Sequence, residues 1–294
     1  LTGDKISVGP PFFNSAFLPI ALPLVIIMAI GPFLSWKRAD LPGVVQRMKW
    51  VLAMSVLGLL VVWYFQTGGP ALAIVSVLIA FWLLFATLRE WALRIKLGRE
   101  PLQDSLAEPL RASLGRMRRM PRASHGMTLA HLGLAVLMLG MIGSSAWKSE
   151  EVLFVEPGAQ VSIAGFDVTF EGVTVVRGPN YIAQVGALKI MRDGKDVGYL
   201  NPERRTYPVA QSQTTEAGIR STLAGDLYAS ITEPADESAT GKWTLRILYE
   251  PFVGFIWLGS IMMVLGGLIS LSDRRLRVGA PRSRPQPAPE AVAA

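Results

Sequence analysis

Two histidines occur in this sequence of 294 residues, and one of them, His131, lies inside the apolar run from Met127 to Trp147. A titratable ring in a stretch long enough to cross a bilayer is costly unless it gains a partner. Neutral imidazole offers a nitrogen lone pair, the donor that a metal or haem iron takes. Gly126, Ala130 and Gly133 lie close by on the same helix, leaving room for a flat macrocycle or a second helix against the backbone. From this segment alone, a haem ligand and a histidine hydrogen-bonded to a neighbouring helix stand about equal. His125 stands at the start of the same span. A second polar set is spread over PERRTY (Pro202 to Tyr207), TEAGI (Thr215 to Ile219) and GDLY (Gly225 to Tyr228). Adjacent Arg204 and Arg205 point to opposite faces of an extended segment. One is placed to pair with Glu203, Glu216 or Asp226, and the other to meet a carboxylate ligand such as a haem propionate. An ion-paired surface strand explains the same residues more simply.

The usual catalytic sets are missing. The chain has no glycine-rich phosphate loop, no GxSxG and no HExxH. No span contains paired carboxylates, which argues against a proton-relay transporter built on them. With two histidines and no cysteine, a zinc site made by protein alone is improbable, and disulfides and thiol redox chemistry within the chain are excluded. No catalytic residue is assigned.

The elements that must position His131 are membrane spans. Hydrophobic residues make up 51% of the chain, charged residues 17%, and the mean hydropathy is +0.37, too apolar for an ordinary soluble protein. About five segments are long enough to span: 16–34, 50–66, 71–94, 127–147 and 252–271. QTGGP (Gln66 to Pro70) turns the second into the third, and Gly259, Gly266 and Gly267 make the last suited to close helix contact. The formal charge of +7 sits in three clusters, Trp36 to Trp50, Arg94 to Arg122 and Arg274 to Arg284. Alternating spans put all three on one side, which the positive-inside rule makes cytoplasmic. The excess charge is therefore topological, and no nucleic-acid surface remains.

The domains expected are a transmembrane region over 1–147 with basic cytoplasmic loops at 35–49 and 95–126, an extracytoplasmic β domain over 148–250, a last span over 251–272, and a basic disordered tail over 273–294. The loop segment LQDSLAEPLRASLGRMRRM reads as an amphipathic basic helix along the anionic inner leaflet. In the outer domain, Gln160 to Val176 alternates, broken at Gly165 and Gly172, and Gln184 to Leu200 reads as a hairpin about Asp193-Gly194. Thr214 to Thr232 is expected to hold a short helix before a strand, and Lys242 to Glu250 a final strand. A small antiparallel sandwich or barrel fits this pattern. The chain opens on LTGDKISVGPPFFN, without an initiator Met or a signal peptide, and reads as a piece of a longer polypeptide.

Several motifs in one order carry a resemblance: KISVGPPFFN (Lys5 to Asn14), HGMTLAHLGLAV (His125 to Val136), GPNY (Gly178 to Tyr181), then PERRTY, TEAGI, GDLY, and PFVGFIWLGSIMMVLGGLISLSDRR (Pro251 to Arg275). Taken together the chain resembles the carboxy-terminal part of the CcmF/NrfE family of cytochrome c haem lyase subunits. The resemblance implies a multi-pass protein of the bacterial inner membrane with its β domain in the periplasm. It implies that the complete protein takes substrate haem from the chaperone CcmE and, with CcmH and CcmI, attaches it to CXXCH cysteines of apocytochrome c. It further implies a resident haem b between two transmembrane histidines, reducing the incoming haem with electrons from quinol. His131 matches one of those ligands, and the other is expected upstream of residue 1. The tryptophan-rich WWD loop and its flanking histidines are not in this sequence, so the fragment alone is expected to lack lyase activity. Two other classes are a non-catalytic scaffold docking maturation partners and a transporter of haem or another small molecule.

Overall fold

Proline placement sets the length of the first apolar helix. In this computed structural model, which describes residues 12, 15–34, 41–65, 69–97, 107–232 and 242–273, α1 runs Leu18–Ile30 and tightens into a 3₁₀ turn at Gly31–Phe33. Pro19 sits in the first turn, where its missing N–H costs nothing, whereas Pro32 lies in the turn that ends the element. Among the described residues four helices are long and apolar enough to cross a membrane: α2 (Leu41–Phe65), α3 (Ala71–Arg94), α5 (Arg122–Ala146) and α6 (Val253–Leu271). Of the five spans expected, α1 is the shorter apolar helix. α2 starts upstream of Trp50 because Gln46 to Lys49, good helix formers, continue the helix. The basic amphipathic segment forms α4 (Ala107–Arg119).

α3 is central. Its Ala80 and Leu83 meet Val25 and Ala29 of α1, Met48 and Val51 of α2, and Ala135 and Met138 of α5 in one buried cluster. α6 packs along α5 by a different device. Gly126, Gly133 and Gly140 recur every seven residues on α5 and bring the two backbones into contact. A Cβ at Gly133 would lie 2.7 Å from the Gly259 oxygen, and one at Gly259 would lie 2.5 Å from the Leu137 nitrogen. A Cβ at Gly266 would lie 2.6 Å from both the Ala130 nitrogen and the Gly126 oxygen. Gly267 faces open space, so of the three glycines expected to serve helix contact, it does not.

Helices and β domain are joined without slack. α5 ends at Ala146 and β1 (Ser149–Val155) follows; β10 (Trp243–Pro251) ends just before α6. β1 and β10 pair antiparallel from Ser149 opposite Tyr249 to Val155 opposite Trp243. Phe252 turns between β10 and α6 in the left-handed conformation, φ 62°. Its N–H donates to the Ala224 oxygen at 3.0 Å, and its ring lies against Gly143.

The β domain is a sandwich of two antiparallel sheets. One has the order β1-β10-β9-β8, with β8 Gly218–Ser221 and β9 Gly225–Thr232. The other has the order β2-β3-β4-β6-β7, over Gln160–Ile163, Phe166–Arg177, Ile182–Arg192, Glu203–Tyr207 and Ser212–Glu216, and β5 (Lys195–Leu200) pairs with β4. Alternate residues enter the core: Phe166, Val168 and Phe170 from β3, Leu188 and Ile190 from β4, Leu227 and Ile231 from β9, Leu245 and Ile247 from β10. Each such burial stabilises by roughly 1.5–3 kcal/mol. Asp193 and Gly194 have φ of 50° and 73°, as the tight β4–β5 hairpin requires. Gly172 marks a bulge in β3. Thr214 to Thr232 holds no helix: β7, β8 and β9 occupy it. Its hydroxyl-rich and β-branched residues satisfy a ladder rather than a turn of helix.

Across the β1/β10 ladder Arg246 donates to Glu150 at 2.7 and 2.8 Å, and Lys148 adds a contact at 3.5 Å. The Arg246 hydrogen bond holds the Glu150 carboxyl below the usual carboxylate range. A depressed folded-state pKa stabilises above the ordinary carboxylate pKa, and that contribution is lost as pH falls through the lowered value. The pair is exposed, so the effect is small. Glu150→Gln is expected to melt slightly earlier than wild type at neutral pH and together with it once the pH has fallen below the lowered Glu150 value, followed by tryptophan fluorescence.

The KISVGPPFFN lead-in (apart from Phe12), the first six residues of the first basic loop at 35–40, the turn residues 66–68, residues 98–106 and 233–241, and the basic tail at 274–294 lie outside the described residues.

Candidate functional site

The glycine heptad fixes which way His131 points. At about 100° per residue, His131 lies roughly 160° around α5 from the Gly126–Gly133–Gly140 line. The space these glycines leave, together with Ala130, is therefore filled by α6 and not by a planar ligand beside the imidazole. His131 shares the other side of α5 with Ser124, Thr128 and Ala135. Two of these meet α3: Arg94 Nη1 donates to Ser124 Oγ at 2.9 Å, and Ala135 is buried against its apolar residues.

His131 is half-buried, and its Nδ1 lies 2.8 Å from the Met127 carbonyl oxygen. A carbonyl can only accept, so Nδ1 carries the proton and Nε2 of the neutral ring keeps its lone pair. This backbone contact fixes ring tautomer and orientation in the way metal-bound histidines are held. Among the described residues Nε2 has no hydrogen-bond partner. The donor set thus fits an axial haem ligand. Among the described residues no group of three or more His, Cys, Asp or Glu could hold a metal ion, so any iron bound here needs its other ligands from the macrocycle and from elsewhere.

His125 serves the frame instead. Its Nε2 lies 3.0 Å from the Met117 oxygen, tying the end of α4 to the start of α5. Two features were not read from the sequence. Asp273, just past α6 and buried, accepts from the Ala123 N–H at 3.0 Å, satisfying one of the orphan donors at the start of α5. Glu90, inside α3, is 5% exposed and contacts Arg94, while its Oε2 has no hydrogen-bond partner. The Glu90–Arg94 spacing of one helical turn was the available signal.

The outer cluster assembles in part. Arg204, Arg205 and Glu216 lie on the β6–β7 ladder, where Glu203 faces Glu216. Arg205 donates to Glu203 at 2.7 Å and stacks over Tyr181 with 4.5 Å to the ring centre. Glu203 first, then Tyr207, holds its guanidinium more firmly protonated than usual. Tyr181 in turn leans on Tyr207, their ring centres 5.7 Å apart, and packs against Gly178 of GPNY. Arg204 donates to Gln213 at 2.8 Å. Asp226 stands apart in the other sheet, on β9, opposite Ser221 and Glu250. Burial, then the charges of Asp226 and Glu250, push the Tyr228 hydroxyl above its ordinary pKa. His131 is about 22 Å of helix from the outer end of α5, so none of these residues shares a site with its ring.

Four span-length helices among the described residues, with a β-sandwich set on the last two of them, define the architecture of a membrane protein that carries an appended β domain. Residues 146–251 match the family described as the CcmF C-terminal beta-sandwich. The chain is 38% identical to the cytochrome c-type biogenesis protein CycK of Rhizobium meliloti over 96% of its own length and 40% of the relative's. It is 35% identical to CcmF of Escherichia coli, over 98% of this chain and 41% of that protein. A solved structure of the cytochrome c haem lyase CcmF superposes with a TM-score of 0.67 at 19% identity, over 90% of this chain and 41% of the other; this shows the same fold. The chain belongs to the CcmF/CycK/NrfE family of cytochrome c-type biogenesis proteins. It spans about two fifths of the length of the curated relatives it matches.

Proposed function

We propose that this chain is the part of a cytochrome c haem lyase that supplies one axial ligand to a resident haem b and carries the outer β domain. The observation that supports it is the His131 Nδ1 contact to Met127, which leaves the Nε2 lone pair of this half-buried ring available. A second histidine from outside this chain completes the pair. His131 would hold such a haem through Nε2, and the haem would supply electron carriage. His131 binds, and its Nδ1 contact to the Met127 carbonyl orients the ring.

In the complete protein, substrate haem passes from CcmE to the CXXCH cysteines of apocytochrome c, with CcmH and CcmI as partners and quinol as the electron source. The β domain lies in the periplasm and the arginine-rich α4 on the cytoplasmic side of the bacterial inner membrane, an orientation supported by the basic residues at the helix ends remote from the sandwich. Arg204, Arg205, Glu216 and Asp226 serve the outer domain through its ladder and its docking surface.

The test is a reduced-minus-oxidised optical spectrum of the complete detergent-purified protein. A b-type signal is expected. Its absence would leave a docking scaffold as the better account, with His131 a packing residue.

A further inference from the structure

The helix α4 presents a face that no part of the described chain covers. Its inner side is anchored: Ser113 is 4% exposed, Arg116 reaches the Ile95 oxygen at 3.4 Å, and the Met117 oxygen meets His125 at 3.0 Å. These contacts hold α4 against the end of α3 and the start of α5, at the span ends remote from the β domain. On its outer side Leu110 and Leu114 are exposed at 58% and 45%, and Arg111, Arg118 and Arg119 are exposed as well. At about 100° per residue, Leu110, Leu114, Arg118 and Arg111 follow one another within roughly a quarter of the helix circumference. The face is thus half apolar and half cationic, with Arg119 and Arg122 extending the charge. Among the described residues none of Arg111, Arg118, Arg119 or Arg122 has a carboxylate partner. The carboxylate of Asp273 is buried and turned to Ala123.

Water alone is a poor neighbour for such a face, because two leucines stay wet and four like charges repel. A bilayer edge relieves both costs. The leucines enter the acyl boundary while the guanidinium groups reach headgroup phosphates, each able to take two oxygens at once. Arg111 and Arg118 are about 10 Å apart along the axis, far enough to engage separate headgroups.

We propose that the outer face of α4 is a docking site for anionic phospholipid headgroups in the leaflet remote from the β domain. Leu110 and Leu114 are seated at the acyl boundary, and Arg111, Arg118 and Arg119 bind the phosphates. α4 is a lateral stay on the bundle that works when the surrounding lipid is acidic. This does not depend on a haem at His131.

The experiment is hydrogen exchange of the α4 amides in the full protein, reconstituted in discs of phosphatidylcholine with or without phosphatidylglycerol. Exchange is expected to slow by about tenfold or more in the acidic discs, since each arginine near an anionic surface contributes on the order of fivefold. The difference should vanish in about 1 M salt, where the screening length is near 3 Å; this arm needs no variant. It should also vanish in the triple variant Arg111→Gln, Arg118→Gln, Arg119→Gln and persist in the triple lysine variant, which keeps the charge. Equal protection in both lipids would overturn the proposal. So would slowing by inorganic phosphate in detergent to the same degree, or protection that appears only when a partner protein is added.

Discussion

Gly266→Ala is expected to lower the unfolding midpoint of the detergent-solubilised protein by roughly 6–12 °C, while Gly267→Ala leaves it unchanged. The two glycines are neighbours in sequence with opposite surroundings. A Cβ at Gly266 meets backbone on α5 at 2.6 Å, whereas at Gly267 it meets nothing within 4 Å. Backbone has no rotamer with which to yield, so the helices must separate, and with them the contacts at Gly126, Gly133 and Gly259. Overpacking of this kind costs typically 1–3 kcal/mol and more where nothing can shift. About 3 kcal/mol corresponds to the stated change for a chain of this size. Alanine is otherwise the better helix residue, so Gly267→Ala should if anything stiffen α6. Thermal melts of the two variants, followed by helical circular dichroism, make the comparison. Equal stability would mean that the seam is not closed at backbone distance.

The second large effect concerns His131→Ala. The complete protein is expected to insert and fold yet to lack the b-type spectrum proposed for the wild type. The ring is half-buried, while the packing of α5 on α3 rests on Ala135 and Met138, so truncation removes a donor without opening the core. His131→Gly supplied with millimolar imidazole should regain part of the signal, because a free ring can enter the space the side chain leaves. His125→Ala should keep the spectrum. It loses one hydrogen bond to Met117, a change of about 0.5–1.5 kcal/mol. Unaltered haem content in His131→Ala would remove this residue from the proposed site, and the rescue by imidazole separates ligand loss from misfolding.

Hydropathy made the spans legible, and alternation made most strands legible, because both record burial directly. Asp193-Gly194 located its hairpin through backbone chemistry alone. Of the short helix and strand expected over Thr214 to Thr232, the strand is present as β9 and the helix is not, since short edge strands such as β7 and β8 lack the long apolar period that separates strand from helix. In the candidate site, His131 stood out because an imidazole in an apolar run is rare. What its glycine neighbours were for was not legible. Gly126, Ala130 and Gly133 suited a macrocycle or a helix equally, and only the position of α6, encoded more than a hundred residues later, decides. Asp273 escaped notice for the same reason. A cap supplied from another helix leaves no mark near the turn it caps.

The direct joints at Ala146–Ser149 and Pro251–Val253 have a bearing on how the chain reaches its final state. α5 and α6 form a helical hairpin whose connecting loop is an entire folded domain. Closing a loop of about a hundred unstructured residues costs entropy before any glycine contact repays it. Once β1 has paired with β10, that loop shrinks to two short joints, and the helices are presented to each other already aligned. The sandwich therefore acts as an assembly jig for the membrane hairpin. Its maturation on one side of the bilayer sets when the seam within the bilayer can close, so that damage to the sandwich core would surface first as a failure of α6 to dock.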